Sequence, residues 1–246
     1  MNKVFDSAAE ALKDVFDGAV VLCGGFGHVG GTPSILYRAL SQMPVKNLTL
    51  VGNSPILGVM FHKAAARTMK VPDWFVDGSL LIQNRQVSKV IVSVPALAIA
   101  KMPEPFPIIK ALQEGQNIEV EMVPQGTMAE RIRAAKAGIL AFYTPTGAGT
   151  YAERGKETKI YEGQKYLLEY ALKADFAIIA ANKADPFGNL VYRGTSRTFN
   201  ATMAGAARTT VVEVNQVVKL GDLDPEAVVT PGIYVDRIVA RGGSAK

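Results

Sequence analysis

Short apolar runs alternate with helical patterns along most of the chain. Residues 7–16 and the segment SILYRAL after Pro33 carry apolar side chains at the spacing of a helix. The runs with the length and composition of buried strands are 19–23, 48–52, 89–94, 118–123, 176–181, 190–193 and 209–214. This alternation predicts an α/β fold built on an open, mainly parallel sheet that is covered by helices. Because no linker or internal repeat divides the chain, we expect a single domain over residues 1–246.

Residues that start and stop helices sharpen two of these predictions. Thr32 is a candidate N-cap, and Pro33 suits the first position of the helix that follows the first strand. Thr127 and Glu130 form the pattern of a capping box, and Gly138 stands where a helix commonly ends. We therefore expect one helix from Pro33 onward and a second helix from Thr127 to Gly138.

The glycine-rich loop CGGFGHVGGTP follows the first predicted strand, and its residues 25–30 have the G-x-G-x-x-G spacing of a dinucleotide-binding loop. That motif also needs an acidic residue about 20 positions further on, where it binds the ribose. No Asp or Glu occurs between Gly18 and Pro72, which argues against an NAD(P)-dependent oxidoreductase. Two interpretations stay open. The loop is either a tight turn or a place where glycines let the backbone approach an anionic substrate.

Composition and charge argue against several classes of protein. The net charge of +5 comes from scattered basic residues without a run of like charges, so we expect no nucleic-acid partner. A single cysteine and two histidines exclude an internal disulfide and argue against a metal site. No apolar stretch approaches the roughly 20 residues of a membrane span, so we expect no membrane partner. The acidic N-terminal segment is unlike a signal peptide, which predicts a cytoplasmic protein.

Several long segments, in the same order, resemble the A (alpha) subunit of the family I coenzyme A (CoA) transferases. These are DGAVVLCGGF (17–26), KNLTLVGNS (46–54) and the segments 119–150, 163–179, 184–200 and 228–239. Within that family the chain is most similar to the 3-oxoacid (acetoacetate:succinate) and 3-oxoadipate CoA-transferases. The resemblance covers nearly the whole chain and implies the CoA-transferase fold, which is related to that of sugar-phosphate isomerases.

The resemblance also implies a reaction and a partner. Members of the family move CoA from an acyl-CoA, such as succinyl-CoA, to a carboxylic acid, here expected to be a 3-oxo acid. A glutamate of the B (beta) subunit holds CoA as a glutamyl thioester between the two half-reactions, which is covalent catalysis. We therefore expect the partner to be a B subunit, in an A2B2 assembly, with CoA as a substrate and no permanently bound cofactor.

Two polar side chains match residues that serve the reaction in the family. Asn53 matches an asparagine whose amide helps to stabilise the oxyanion, and Gln86 matches a glutamine that holds the catalytic glutamate. The substrate-binding loop would consist of Gly25, Phe26, Gly27 and Gly30. The plainer alternatives are a strand-ending asparagine in a turn for Asn53 and a solvent-exposed polar residue for Gln86.

The sequence departs from the family pattern in three places. The segment Gly30–Pro33 lengthens the loop, Ser54 replaces the second asparagine of a pair, and residues 93–98 are apolar where 3-oxoacid enzymes carry a polar stretch. These changes leave two alternatives open. The acid substrate has an apolar tail, or the chain is a noncatalytic structural or regulatory subunit of a CoA-transferase-like complex.

Three other groups of side chains have both a chemical and a plainer interpretation. Cys23 is a nucleophile or a small core residue at the end of a strand. Glu119 and Glu121 share one face of a strand, so they form a pair of catalytic carboxylates or a solvated or subunit-facing edge. Arg193 and Arg197 bind CoA phosphates or form structural salt bridges. For Cys23, and for Glu119 and Glu121, the second interpretation is favoured.

Overall fold

The computed structural model of the protein describes residues 2–27, 30–65, 71–95 and 104–242. His28 and Val29 of the glycine loop, and residues 96–98 of the departing segment, lie outside the described residues. The strands are β1 (Val4–Phe5), β2 (Val20–Cys23), β3 (Leu48–Gly52), β4 (Val87–Val92), β5 (Glu119–Met122), β6 (Ala141–Thr144), β7 (Thr158–Tyr161), β8 (Gln164–Tyr170), β9 (Ala174–Ala184), β10 (Leu190–Val191), β11 (Ala207–Val217) and β12 (Arg237–Ala240). The helices are α1 (Ala8–Ala11), α2 (Ser34–Ser41), α3 (Val59–Ala65), α4 (Ser79–Gln83), α5 (Pro107–Gln113), α6 (Gln125–Ala137) and α7 (Asn200–Met203).

The main sheet has the strand order β1-β12-β11-β9-β2-β3-β4-β5. All neighbours along this path are parallel, and the short strand β10 pairs antiparallel with β9. The central strands β2, β3 and β9 form here because their apolar runs are buried on both faces, as parallel sheets require. The predicted α/β fold with an open, mainly parallel sheet is confirmed.

Helices cover both faces of the sheet and enclose two apolar cores. The core on one face includes Leu36 and Leu40 of α2, Leu81 of α4 and Ile108 of α5. The core on the other face includes Met128 and Ile132 of α6 and Met203 of α7. The central strands contribute to both cores, because successive side chains of a strand point to opposite faces.

The chain leaves the centre of the sheet in two directions. From β2 it proceeds to β3, β4 and β5, whereas from β9 it proceeds the other way to β11 and β12. The strands β2 and β9 are neighbours, with Cys23 beside Ile178, so the order of the sheet reverses between them. Open α/β sheets bind ligands at the carboxyl ends of the strands at such a reversal. The glycine loop follows β2 and therefore lies at this position.

Three helix ends differ from the predictions. The first helix ends at Ala11, well before residue 16, although Ser7 caps it by accepting from the Glu10 amide. Helix α2 begins at Ser34, and neither Thr32 nor Pro33 provides a side-chain cap. Helix α6 starts at Gln125, so the predicted capping box does not form. Its predicted end is confirmed, because Gly138 adopts the left-handed conformation at φ 74°.

A small antiparallel sheet with the order β6-β8-β7 was not predicted from the sequence. Its hairpin joins Tyr161 to Gln164, which are paired across the two strands. The connecting residues, Glu162 and Gly163, both have positive φ, at 49° and 78°, as a type I′ turn requires. The sequence signal was therefore a glutamate–glycine pair flanked by strand-forming residues.

Candidate active site

Asn53 lies at the carboxyl end of β3, one strand away from the reversal of the sheet. Gly52 lets β3 approach β2 closely, because a Cβ atom there would lie 2.8 Å from the Cys23 carbonyl oxygen. The Asn53 carbonyl oxygen accepts from the Ser93 and Val94 amides at 3.1 and 2.9 Å. The Asn53 side chain is only 4% exposed. Its position is therefore fixed by backbone bonds to the end of the next strand, β4.

The Asn53 amide uses only part of its hydrogen-bonding capacity. Its Nδ2 donates to Ser54 Oγ at 3.1 Å, and within the described residues its buried Oδ1 has no partner. A hydroxyl group both donates and accepts, so a half-turn of the amide keeps the bond to Ser54. That half-turn replaces the unpaired oxygen by an unpaired N–H donor. After this half-turn Asn53 has a buried N–H donor that no described residue uses, and it keeps its bond to Ser54.

The glycine loop packs against Ser54, the hydrogen-bond partner of this asparagine. A Cβ atom on Gly27, whose φ is +57°, would lie 3.2 Å from Ser54 Oγ. A side chain at this position is disfavoured by the backbone conformation, and it would also have to displace the Ser54 hydroxyl by a few tenths of an ångström. Gly25 and Gly30 belong to the same loop, and the half-buried Phe26 packs on Phe199 with ring centroids 5.9 Å apart. The structure thus brings the predicted loop together with Asn53.

Asn200 bonds the end of the glycine loop at Gly31. It was not predicted to be a site residue. Its side chain is fully buried, and its Oδ1 accepts from the Ala180 amide of β9 at 3.0 Å. Its Nδ2 donates to Gly31 O and Ser196 O, both at 3.0 Å, and approaches Thr198 Oγ1 at 3.1 Å. One amide therefore joins the loop, the central strand and the segment 193–200. The only sequence signal was its place at the end of the polar run RGTSRTFN.

Glu213 of β11, a strand two places away from β2 in the sheet, caps helix α2. Its Oε2 accepts from the Ile35 and Leu36 amides at 2.7 and 3.1 Å, where the helix N-terminus favours a negative charge. Its Oε1 accepts from Arg241 Nε at 2.6 Å, and Arg241 also donates to the Thr32 carbonyl. This carboxylate provides the cap that the sequence assigned to Thr32. The start of α2 and the end of the glycine loop are therefore held together.

A family model of coenzyme A transferases matches residues 5–241 of the chain. The chain belongs to the coenzyme A transferase family. It is 40% identical over 245 residues to the A subunit of 3-oxoadipate CoA-transferase from Pseudomonas putida, covering 100% of this chain and 96% of that protein. It is also 40% identical over 246 residues to the A subunit of the probable succinyl-CoA:3-ketoacid coenzyme A transferase from Bacillus subtilis, covering 100% of this chain and 93% of that protein.

The solved structure of glutaconate coenzyme A-transferase from Acidaminococcus fermentans has the same fold. The TM-score is 0.76 at 20% sequence identity, and the match covers 97% of this chain and 75% of that chain. At this identity the likeness concerns the fold alone. The predicted family and the CoA-transferase fold are thus confirmed, and the assignment of the chain as a CoA-transferase rests on its full-length relatives.

Gln86 of this CoA-transferase chain does not belong to the site. It precedes β4 and so lies at the amino end of the sheet, whereas Asn53 follows the neighbouring parallel strand at the carboxyl end. Its Nε2 donates to the carbonyl oxygens of Leu40, Met43 and Val45 at 3.1, 3.0 and 3.3 Å. The side chain is 2% exposed, so the alternative of an exposed polar residue is also wrong. Gln86 ties the turn after α2 to the sheet.

The other candidates of the CoA-transferase chain resolve into structural roles or remain unpaired. Cys23 is 1% exposed, and burial raises the pKa of its thiol to about 12, so it is a core residue and no nucleophile. Lys89 bridges Glu119 and Glu121 at 2.9 and 3.0 Å, which makes these carboxylates an ion-pair cluster on the edge strand. Arg193 forms no ion pair within the described residues.

Neither a metal cluster nor a membrane-spanning helix occurs in the described parts of the chain. In those parts no group of three or more His, Cys, Asp or Glu side chains is arranged to hold a metal ion. No helix among them is both long and apolar enough to cross a bilayer.

Proposed function

We propose that this chain is the A subunit of a 3-oxoacid CoA-transferase and supplies one half of the active site. The proposal rests on Asn53, which is held rigidly beside the glycine loop and can present a spare N–H donor. It is supported by the two full-length relatives, whose names give 3-oxoadipate in one case and a succinyl-CoA:3-ketoacid pair in the other. CoA is then a substrate that passes between succinyl-CoA and a 3-oxo acid.

The chemistry proceeds through a glutamate that the partner B subunit contributes. Its carboxylate attacks the thioester carbonyl of the acyl-CoA, and the CoA thiolate leaves to give a mixed anhydride. The thiolate then attacks the glutamyl carbonyl, which releases the free acid and leaves a glutamyl-CoA thioester. The second acid takes up CoA by the same steps in reverse. Each attack places negative charge on a carbonyl oxygen.

In this reaction the role of the chain is to stabilise the negative charge on the carbonyl oxygen. A preorganised donor such as the Asn53 amide is worth about 3 kcal/mol when it faces a developing oxyanion in a site without bulk water. Gly25, Phe26, Gly27 and Gly30 form the loop against which the substrate carboxylate lies. Asn200 bonds the Gly31 carbonyl and Glu213 bonds the start of α2, so the described end of the loop is held in place before the substrate arrives.

The family resemblance implies that the nucleophilic glutamate belongs to the partner, and the glutamate nearest the glycine loop in this chain has a structural role. Glu213 is fully buried and its oxygens accept from two helix amides and from Arg241. A carboxylate in this position cannot reach a thioester without unfolding the end of the loop. We propose an A2B2 assembly that works in the cytoplasm, with the whole chain acting as one domain.

Turnover with and without the partner tests this function. The chain, the product of the adjacent B-like reading frame, and their mixture are each assayed with acetoacetate, succinate and acetate and the corresponding CoA thioesters. We expect activity only in the mixture, and only for pairs of substrates in which one of the two acids is a 3-oxo acid. A stable complex that turns over none of these acids would instead favour the noncatalytic, regulatory subunit.

A further inference from the structure

A cleft of about 430 Å³ opens beside the glycine loop at the carboxyl ends of β9 and β11. Its walls are Ala180–Asn182 of β9, Arg193–Ser196, Asn215 of β11, Arg241 and Gly31 of the loop. Gly31 is packed tightly in this wall. A Cβ atom at Gly31 would lie 2.5 Å from Asn200 Nδ2 and 2.5 Å from Ser196 O. The cleft and the glycine loop thus share one wall that Asn200 holds in place.

The charge in this cleft is positive and is carried by one side chain. No Asp or Glu lines the cleft in the described part of the chain. The Arg241 guanidinium is neutralised by Glu213. The exposed Arg193 has no such partner among the described residues. A cation without a carboxylate beside it, in a concave and polar surface, is suited to an oxyanion.

The amide groups of the cleft add a donor to this cation. Asn215 Oδ1 accepts from Arg241 at 2.9 Å, and Asn215 Nδ2 donates to Asn182 Oδ1 at 3.0 Å. This chain of bonds fixes Asn182 with its oxygen as an acceptor and leaves its N–H group for another partner. Donors therefore line the cleft on both sides.

The separation between Asn53 and the cleft favours one type of oxyanion as the ligand of the cleft. Strands β3 and β9 flank β2, so their ends lie two strand spacings, or about 10 Å, apart. A flexible arginine side chain shortens that gap. A short diacid spans it when one carboxylate lies at the glycine loop. The phosphates of CoA are much further from its sulfur, which favours a second carboxylate as the ligand.

We propose that Arg193 binds the second carboxylate of a dicarboxylic acid substrate and thereby sets the preference of this half-site for diacids. The inference rests on the proposed function for its substrate class. It goes beyond that function by assigning a specificity residue outside the loop. Arg197 lies on the same short turn and is also exposed, but it does not line the cleft, so it serves as the matched control.

Binding to the full chain tests the subsite without any turnover. The isotope-labelled chain is titrated with succinate and with succinamate, in which an amide replaces one carboxylate, and arginine side-chain resonances are followed by NMR. We expect succinate to bind about tenfold more tightly than succinamate, and this preference to disappear in Arg193→Gln but not in Arg197→Gln. Equal binding of the two ligands, or equal loss in both variants, would overturn the proposal.

Kinetics of the assembled enzyme separate the possible sources of the oxyanion. Arg193→Gln is expected to raise KM for succinate about tenfold while KM for acetate stays within twofold. A change that appears with CoA thioesters but not with dephospho-CoA thioesters would instead assign Arg193 to a phosphate. A variant that only weakens assembly of the complex would assign it to the partner interface. Either result overturns the diacid subsite.

The two experiments also distinguish this inference from the proposed function. If the complex turns over acetoacetate normally but neither NMR nor KM depends on Arg193, the function stands and the subsite is wrong. If succinate binds through Arg193 but the complex transfers CoA to no acid, the subsite stands and the function is wrong.

Discussion

The two ends of the parallel sheet use the same side-chain group in opposite ways. Asn53 at the carboxyl end and Gln86 at the amino end are both buried amides with one oxygen unpaired among the described residues. Gln86 Nε2 faces three carbonyl oxygens, so its amide cannot turn without bringing oxygen against oxygen. Asn53 is bonded only to a hydroxyl group, so it can turn and offer a donor. A buried amide can present a donor to a substrate when its own hydrogen-bond partner accepts either orientation of the amide.

Replacing Asn53 should give the largest effect of this comparison. In the assembled complex, Asn53→Ala is expected to lower kcat by about 10²- to 10³-fold, because an oxyanion donor is lost at the transition state. KM and the melting temperature should change little, since the backbone of Asn53 carries its structural bonds. Steady-state kinetics and thermal unfolding measure both quantities. A loss in kcat below tenfold would place the oxyanion elsewhere.

Asn200→Asp should give the second-largest effect, because it removes the hydrogen bonds that hold the end of the glycine loop. The substitution keeps the shape of the side chain but sets an oxygen against the carbonyls of Gly31 and Ser196. We expect about 3 kcal/mol of lost unfolding free energy. At a temperature where the variant is folded, kcat should fall with KM nearly unchanged.

Asn189→Ala is the control for the Asn200 variant. Asn189 holds the turn after β9 through Asp185, at 2.7 Å, and has no bond to the glycine loop within the described residues. The Asn189→Ala variant should have a lower free energy of unfolding and an unchanged kcat. If both variants lower kcat in proportion to their lost stability, Asn200 has a structural role only.

Gln86→Leu should affect stability without affecting catalysis. Leucine leaves three buried carbonyl groups without their amide donor, which we expect to cost about 2 kcal/mol of unfolding free energy. The kcat of the assembled complex should stay within twofold of the unchanged chain. Denaturant unfolding and steady-state kinetics provide the two numbers. A loss of kcat as large as that of Asn53→Ala would remove the contrast between the two ends of the sheet.

Asp14→Asn should give the smallest effect and a characteristic dependence on pH. Its hydrogen bonds to Arg237 hold the pKa of the Asp14 carboxyl below its usual range. A lowered pKa means that the unfolded state binds the proton more readily, so the stabilisation is present above about pH 4 and is lost below it. The side chain is 48% exposed, which limits the gain to about 0.5 kcal/mol.

Unfolding curves at several pH values test the Asp14 pair. The difference between the chain and Asp14→Asn should be constant near neutral pH and vanish in acid. High salt should reduce it, because exposed charges are screened. A difference that grows as the pH falls would contradict the lowered pKa.

Much of the fold could be predicted from the sequence, because parallel strands are continuous apolar runs. The segment 48–52 coincides with β3, and the other predicted runs all overlap strands of the main sheet. The ends of helices were harder to predict. Helix α2 is capped by Glu213, which is 178 positions away from Ile35 and brought near only by the folded sheet. No local pattern carries that information.

Part of the candidate site could also be predicted, because the carboxyl ends of parallel strands meet at one edge of the sheet. The glycine loop and Asn53 follow neighbouring strands, so a parallel sheet places them side by side. Gln86 precedes the strand predicted at 89–94, and the same rule would have placed it at the opposite end. Asn200 could not be found in this way, because it bonds Ala180 of the central strand and Gly31 of the loop, which lie 20 and 169 positions away in the sequence.

The central claim is that this chain supplies half of a CoA-transferase site and the partner supplies the nucleophile. The most direct measurement is to incubate acyl-CoA with the chain, the partner and their mixture, reduce with borohydride, and locate the modified residue by mass spectrometry. The account predicts modification only in the mixture, on a glutamate of the partner, with none on this chain. A reduced carboxylate on this chain would contradict it.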